Sequence, residues 1–127
     1  MHNLLQASIG QGQDSLSPLH LNIITCAIAG GGEFAKPHML DHVESDSGTR
    51  VYTFPQTRKV RLITEEESRI LTELMISVVE KGTATRLKND IYTAAGKTGS
   101  AEFNNYSKDD SHAWFTGFAP TEDPKVA

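Results

Sequence analysis

The chain has 127 residues, with 12 Lys and Arg against 16 Asp and Glu, a formal net charge of −4. That length is enough to bury a core without a disulfide or metal staple, and a mildly acidic chain with no basic tract argues against binding along a nucleic-acid backbone. The single Cys26 excludes an internal disulfide and a zinc knuckle. The longest apolar stretch, Leu19 to Ala29, is interrupted by His20, Asn22 and Thr25 and is too short to cross a bilayer. No basic segment followed by an apolar one trails Met1, so no signal peptide is expected. Hydrophobic residues make up 38%, which is lean for a domain that closes a core by itself.

In chain order, Ser17 and Pro18 open the first predicted helix. The serine side chain can accept a first-turn amide, and proline at the first helical position has no amide to leave unsatisfied. Leu19, Ile23, Cys26 and Ala27 recur at three- and four-residue spacing and predict one apolar face, with Cys26 as a buried small hydrophobe. Gly30-Gly31-Gly32 ends the helix. Leu40 to Ile63 reads as strand material around a turn at Asp46-Ser47-Gly48. Thr64-Glu-Glu-Glu67 fits a capping box, and the acidic turn complements the helix dipole. Ile70, Leu71, Leu74, Met75, Val78 and Val79 form its apolar stripe, closed by Lys81-Gly82. After Ala95-Gly-Lys-Thr-Gly-Ser100 and the polar stretch Asn104 to Ser111, His112 to Ala119 is a strong strand, stopped by Pro120. Two strands around a polar loop predict an antiparallel hairpin, with Trp114, Phe115 and Phe118 in its core. The fold class expected is α+β, with helices packed on an antiparallel sheet.

Lys97-Thr98-Gly99-Ser100 asks for a chemical explanation. In an ideal strand Lys97 and Ser100 lie on opposite faces, while Thr98 and Ser100 share one. Two hydroxyls on one face can both donate to a carboxylate, and Gly99 lets another backbone approach. A plain surface turn is the alternative. A phosphate loop is a third reading, since Gly96-Lys97-Thr98 matches the end of G-x-x-x-x-G-K-[ST]. That motif needs glycine where this chain has Ile91, and a helix where Gly99 interrupts one.

Several segments taken together resemble the transpeptidase domain of class B penicillin-binding proteins. Ala7-Ser-Ile-Gly-Gln-Gly12 with Ser17-Pro-Leu-His-Leu21 resembles the family's I-G-Q-G and T-P-L-Q-L stretch. Ala27-Ile-Ala-Gly-Gly-Gly32 with Lys36-Pro-His38 resembles the segment after it, and Val78-Val-Glu-Lys-Gly-Thr-Ala84 its V-V-x-x-G-T-A. Ala95-Gly-Lys-Thr-Gly-Ser-Ala-Glu102 is similar to G-K-T-G-T-A-E, and Trp114-Phe-Thr-Gly-Phe-Ala-Pro120 to W-F-x-G-F-A-P. The order is the family's order, and K-T-G is the third element of active-site-serine penicillin-recognising enzymes.

The resemblance implies a partial β-lactamase-like fold and a part in peptidoglycan crosslinking by a D,D-transpeptidase, with no cofactor and no metal. Lys97 would supply positive potential in the cleft. Thr98 and Ser100 would bind the carboxylate of a D-alanyl-D-alanine stem peptide or of a β-lactam, with Gly99 admitting the peptide beside the strand. The Ser100 backbone N–H would be one arm of the oxyanion hole. Serine at position 100, where the family more often has threonine, keeps the hydroxyl.

No serine here has Lys three positions later or Asn two positions later, so S-x-x-K and S-x-N are both absent. Residues 1–127 are therefore expected to be a C-terminal portion of the domain, incomplete at both ends and inactive alone. The implied parent is membrane-anchored on the extracytoplasmic face of the bacterial cell membrane, with no membrane contact within this chain. A non-catalytic β-lactam or muropeptide binding module is the alternative from a different class. His38 and His42 have a spacing that suits zinc on a helix, but Pro37 argues against a helix there. His112 is expected to have a cross-strand role. The strand around Trp114 would have an open edge and promote self-association.

Overall fold

The computed structural model describes residues 15–55, 58–102 and 111–127. The I-G-Q-G segment and most of the polar stretch after Glu102 lie outside the described residues.

Helix α1 spans Pro18–Ala29, with Ser17 as N-cap accepting from the His20 amide at 3.3 Å. Gly31 and Gly32, both at positive φ, turn the chain out of it. Three antiparallel two-stranded ladders follow. Strand β1 (Glu33–Ala35) pairs with β4 (Lys59–Arg61), and β2 (His42–Glu44) with β3 (Arg50–Thr53), around the expected turn. Helix α2 covers Glu65–Lys81 and opens on a complete capping box. The Thr64 amide and hydroxyl both donate to Glu67, each at 2.8 Å, and hold its carboxyl below the usual carboxylate range. A short 3-10 turn, Thr85–Leu87, leads on to β5 (Ala95–Glu102), which pairs in unbroken register with β6 (Ser111–Phe118). Both helices pack on this hairpin, as the α+β reading requires.

Ile28, Met75, Ala95 and Phe118 form the buried cluster, with Ala29, Ile63 and Ile76 against it. Hydroxyls tie the same elements together. Ser68 donates to the Ile28 carbonyl at 2.7 Å, joining α2 to α1. Thr25 donates its only proton to the Leu21 carbonyl at 2.9 Å, so Thr116 is the donor in the Thr25–Thr116 hydroxyl pair that joins α1 to β6.

Several predicted faces are displaced. On α1 the buried positions are Thr25, Ala27 and Ile28, whereas Leu19 is exposed and Cys26 only half-buried, its thiol 3.9 Å from the Asn22 side-chain oxygen. The buried side is the one on which Thr25 meets Thr116 of β6. On α2, Met75 and Val79 are buried with Ser68, but Ile70, Leu71 and Leu74 are exposed, Leu74 at 59%. One helix face suffices for a hairpin this narrow. Phe118 is core as expected, Trp114 is half-buried, and Phe115 is 50% exposed. His42 lies in a strand, its ring nitrogens 2.7 Å from Asp41 and 2.8 Å from Glu44, while His38 sits 2.8 Å from the Leu40 carbonyl. The two histidines thus share no helix face.

Among the described residues, the β6 edge away from β5 carries only the bridge of Ala119 to Val126, beyond the strand's end. An unpaired edge of this length is a template for another strand. The isolated chain is expected to self-associate at working concentrations, measured by light scattering; a monodisperse monomer would contradict this.

Candidate functional site

Ala95 fixes where β5 lies. It is 1% exposed, opposite Phe118 at 4%, in the cluster with Met75 and Ile28. From there the strand runs outward, so Lys97, Thr98, Gly99 and Ser100 emerge in regular alternation. Lys97 faces the same way as Thr116, its cross-strand partner, and Thr98 and Ser100 share the opposite face with Phe115 and Ala113. The spacing argument holds in the folded strand. Lys97 folds back so that its ammonium donates to the Thr98 carbonyl. Among the described residues, no strand pairs with the β5 edge away from β6.

These four residues follow one another within β5, which continues as strand to Glu102, so none of them opens a helix. That removes the phosphate-loop reading, because such a loop holds its anion with the amides of a helix N-terminus. It also removes the surface-turn reading. His112 sits opposite Ala101, toward the outer end of the hairpin.

The glycines of this region differ in what they are for. A Cβ at Gly117 would lie 2.5 Å from the Ala95 carbonyl oxygen, a backbone atom with no freedom to move aside. One at Gly96 would meet the Phe115 ring at 2.6 Å, so that ring lies across both glycines. At Gly99 the nearest atom is Trp114 Cβ at 3.5 Å, an ordinary contact. Glycine at 99 therefore leaves a clear strand surface that the hairpin itself does not need.

The structure also brings in a residue not singled out as a site residue from sequence. Thr83, just past α2, has its hydroxyl 2.6 Å from that of Thr98. It belongs to the Val78 to Ala84 segment, which was legible only as a resemblance. Two shallow hollows flank the hairpin. One of about 300 Å³ lies between Pro18, Leu21 and the Trp114–Gly117 stretch, and one of about 570 Å³ between α1 and α2. Neither is lined by Lys97, Thr98, Gly99 or Ser100. No group of three His, Cys, Asp or Glu side chains that could hold a metal ion occurs among the described residues.

Two helices thus pack on an antiparallel hairpin whose strand β5 carries Lys97-Thr98-Gly99. Residues 2–127 match the penicillin binding protein transpeptidase domain family, and the chain belongs to it. It is 29% identical over 135 residues to peptidoglycan D,D-transpeptidase MrdA of Acinetobacter baumannii, an alignment covering 97% of this chain and 20% of that protein. It is 30% identical over 124 residues to peptidoglycan D,D-transpeptidase PbpA of Mycolicibacterium smegmatis, covering 95% of this chain and 25% of the relative. The chain thus spans between a fifth and a quarter of those curated relatives. Among solved structures it superposes on penicillin-binding protein A of Mycobacterium tuberculosis with a TM-score of 0.81 at 29% identity, covering 97% of this chain and 27% of that one. The imipenem acyl-enzyme complex of the same protein gives 0.82 at 30% identity, covering 94% and 27%. The partial α+β fold of these transpeptidase domains is what the chain adopts.

The glycine contrast yields a direct check. Gly117→Ala is expected to lower stability by about 1–3 kcal/mol through overpacking, and Gly99→Ala by well under that. Urea unfolding of the variants measures this; equal losses would refute the assignment of open space to Gly99.

Proposed function

We propose that this chain is a C-terminal portion of a penicillin-binding D,D-transpeptidase domain, incomplete at both ends, that contributes the substrate-binding strand but not the nucleophile. The observation that carries this reading is the placement of Lys97-Thr98-Gly99-Ser100 on a regular strand with the Thr98 and Ser100 hydroxyls on one face. The relatives named as D,D-transpeptidases and the acyl-enzyme complexes of a similar protein support it.

On this reading a serine outside residues 1–127 attacks the carbonyl carbon of the penultimate D-alanine. The carbon–nitrogen bond to the terminal D-alanine breaks, that amine leaves with a proton, and an acyl-enzyme remains until an acceptor amine takes the acyl group. A β-lactam follows the same first step, its ring amide breaking instead. The hydroxyls of Thr98 and Ser100 donate to the substrate carboxylate, and Lys97 adds positive potential beside it. The Ser100 amide stabilises the oxyanion that develops on the attacked carbonyl. Gly99, whose open side needs no side chain, admits the peptide along the free β5 edge as an added strand. No step calls for a cofactor or a metal. The parent is proposed to be membrane-anchored, with the reaction on the extracytoplasmic face; no described helix of this chain is long and apolar enough to cross a membrane.

Labelling with a fluorescent penicillin, followed by denaturing electrophoresis, tests this. The intact parent protein is expected to carry covalent label, the 127-residue chain alone none, and Thr98→Val in the parent to slow labelling by at least about tenfold, the worth of one hydrogen bond to a charged group. A labelled band at the size of the isolated chain would place a nucleophile within it. Penicillin bound to the parent without covalent label would mark a binding module instead.

A further inference from the structure

Val78 to Ala84 closes α2 and delivers the chain to β5. Val79 is 2% exposed and Ala84 5%, so both sides of the turn are anchored in the interior. The amides of Gly82 and Ala84 both donate to the Val78 carbonyl, at 3.0 and 3.2 Å, which wraps the chain tightly around the helix end. A Cβ at Gly82 would lie 2.8 Å from the Val78 Cα and carbonyl oxygen, so the turn admits only glycine. Between these fixed points Thr83 is held outward, and its hydroxyl meets that of Thr98, fifteen residues later, at 2.6 Å.

A threonine hydroxyl has one proton and two acceptor sites. In the Thr83–Thr98 pair, either oxygen can donate. If Thr98 donates to Thr83, its proton is unavailable to a carboxylate. If Thr83 donates, Thr98 keeps its proton for the ligand, and accepting a bond makes it a stronger donor and fixes its rotamer. Nothing else in the turn offers Thr98 a proton at that distance among the bonds described.

We propose that Thr83 is a positioning residue for carboxylate recognition: it donates to the Thr98 hydroxyl and thereby directs the single Thr98 proton at the substrate carboxylate. This rests on the reading that Thr98 binds that carboxylate. It gives the G-T-A segment a chemical task in addition to its part in the fold. Glycine makes the turn, alanine anchors it, and threonine reaches the strand.

The test uses the intact parent protein and compares acylation by benzylpenicillin with acylation by its methyl ester, which lacks the carboxylate. Thr83→Val, close to isosteric, is expected to lower the second-order acylation constant for the free acid about tenfold and to leave the ester within about twofold. Thr83→Ser, which restores the hydroxyl, is expected to return the acid to within about twofold of the parent value. Equal slowing of acid and ester by Thr83→Val, or no slowing of the acid, overturns the proposal and leaves Thr83 as a fold contact. A different result separates the underlying reading: if Thr98→Val slows acid and ester alike, Thr98 does not recognise the carboxylate, and the task assigned to Thr83 falls with it.

Discussion

Four elements meet in one buried cluster, Ile28 from α1, Met75 from α2, Ala95 from β5 and Phe118 from β6, with Ala29, Ile63 and Ile76 packed against it. A shift of any one element would open this cluster, and a buried methylene left unmatched costs on the order of 1 kcal/mol. Ala95 is the smallest of the four and the one that lies on β5, the strand of Lys97 to Ser100. Its methyl group packs with Met75 of α2, and α2 lies against β5 on the approach to the Thr83–Thr98 contact. The hydroxyl bonds of Ser68 to α1 and of Thr25 with Thr116 hold the remaining distances where hydrophobic burial is thin. A chain with 38% hydrophobic residues uses polar ties between elements in place of a larger core.

Local signals in the sequence translated directly into structure. Ser17, Pro18 and the Thr64–Glu67 box mark helix starts because capping is decided by neighbours a few residues apart. The β5–β6 hairpin and the alternation of Lys97 against Thr98 and Ser100 follow from period-2 geometry in the same way. Faces did not translate as well. The α1 spacing pointed to Leu19, Ile23, Cys26 and Ala27; Ala27 is buried, but the rest of the buried side is Thr25 and Ile28, where Thr25 meets Thr116 of β6. Phe115 looked like core and instead half-covers Gly96 and Gly117. A contact between residues 25 and 116, or between 83 and 98, leaves no trace in local periodicity.

The exposed apolar side chains have a place in the same picture. Ile70, Leu71 and Leu74 continue the α2 stripe onto its outer face, where no described element covers them. The chain spans only 20% and 25% of the two curated relatives. On the proposed reading, these residues meet the rest of the transpeptidase domain, and the unpaired β6 edge does likewise. The shape of β5 is set locally, by the buried cluster at its Ala95 end.

The central claim is that Thr98 and Ser100, on one face of β5, hold the carboxylate of the acylating ligand. A crystal structure of the intact parent protein acylated by benzylpenicillin measures this directly. The account predicts the ligand carboxylate within hydrogen-bonding distance of both hydroxyl oxygens, with the Thr83–Thr98 contact retained. A carboxylate turned away from β5, or bound on the Lys97 face with neither hydroxyl in reach, would contradict it.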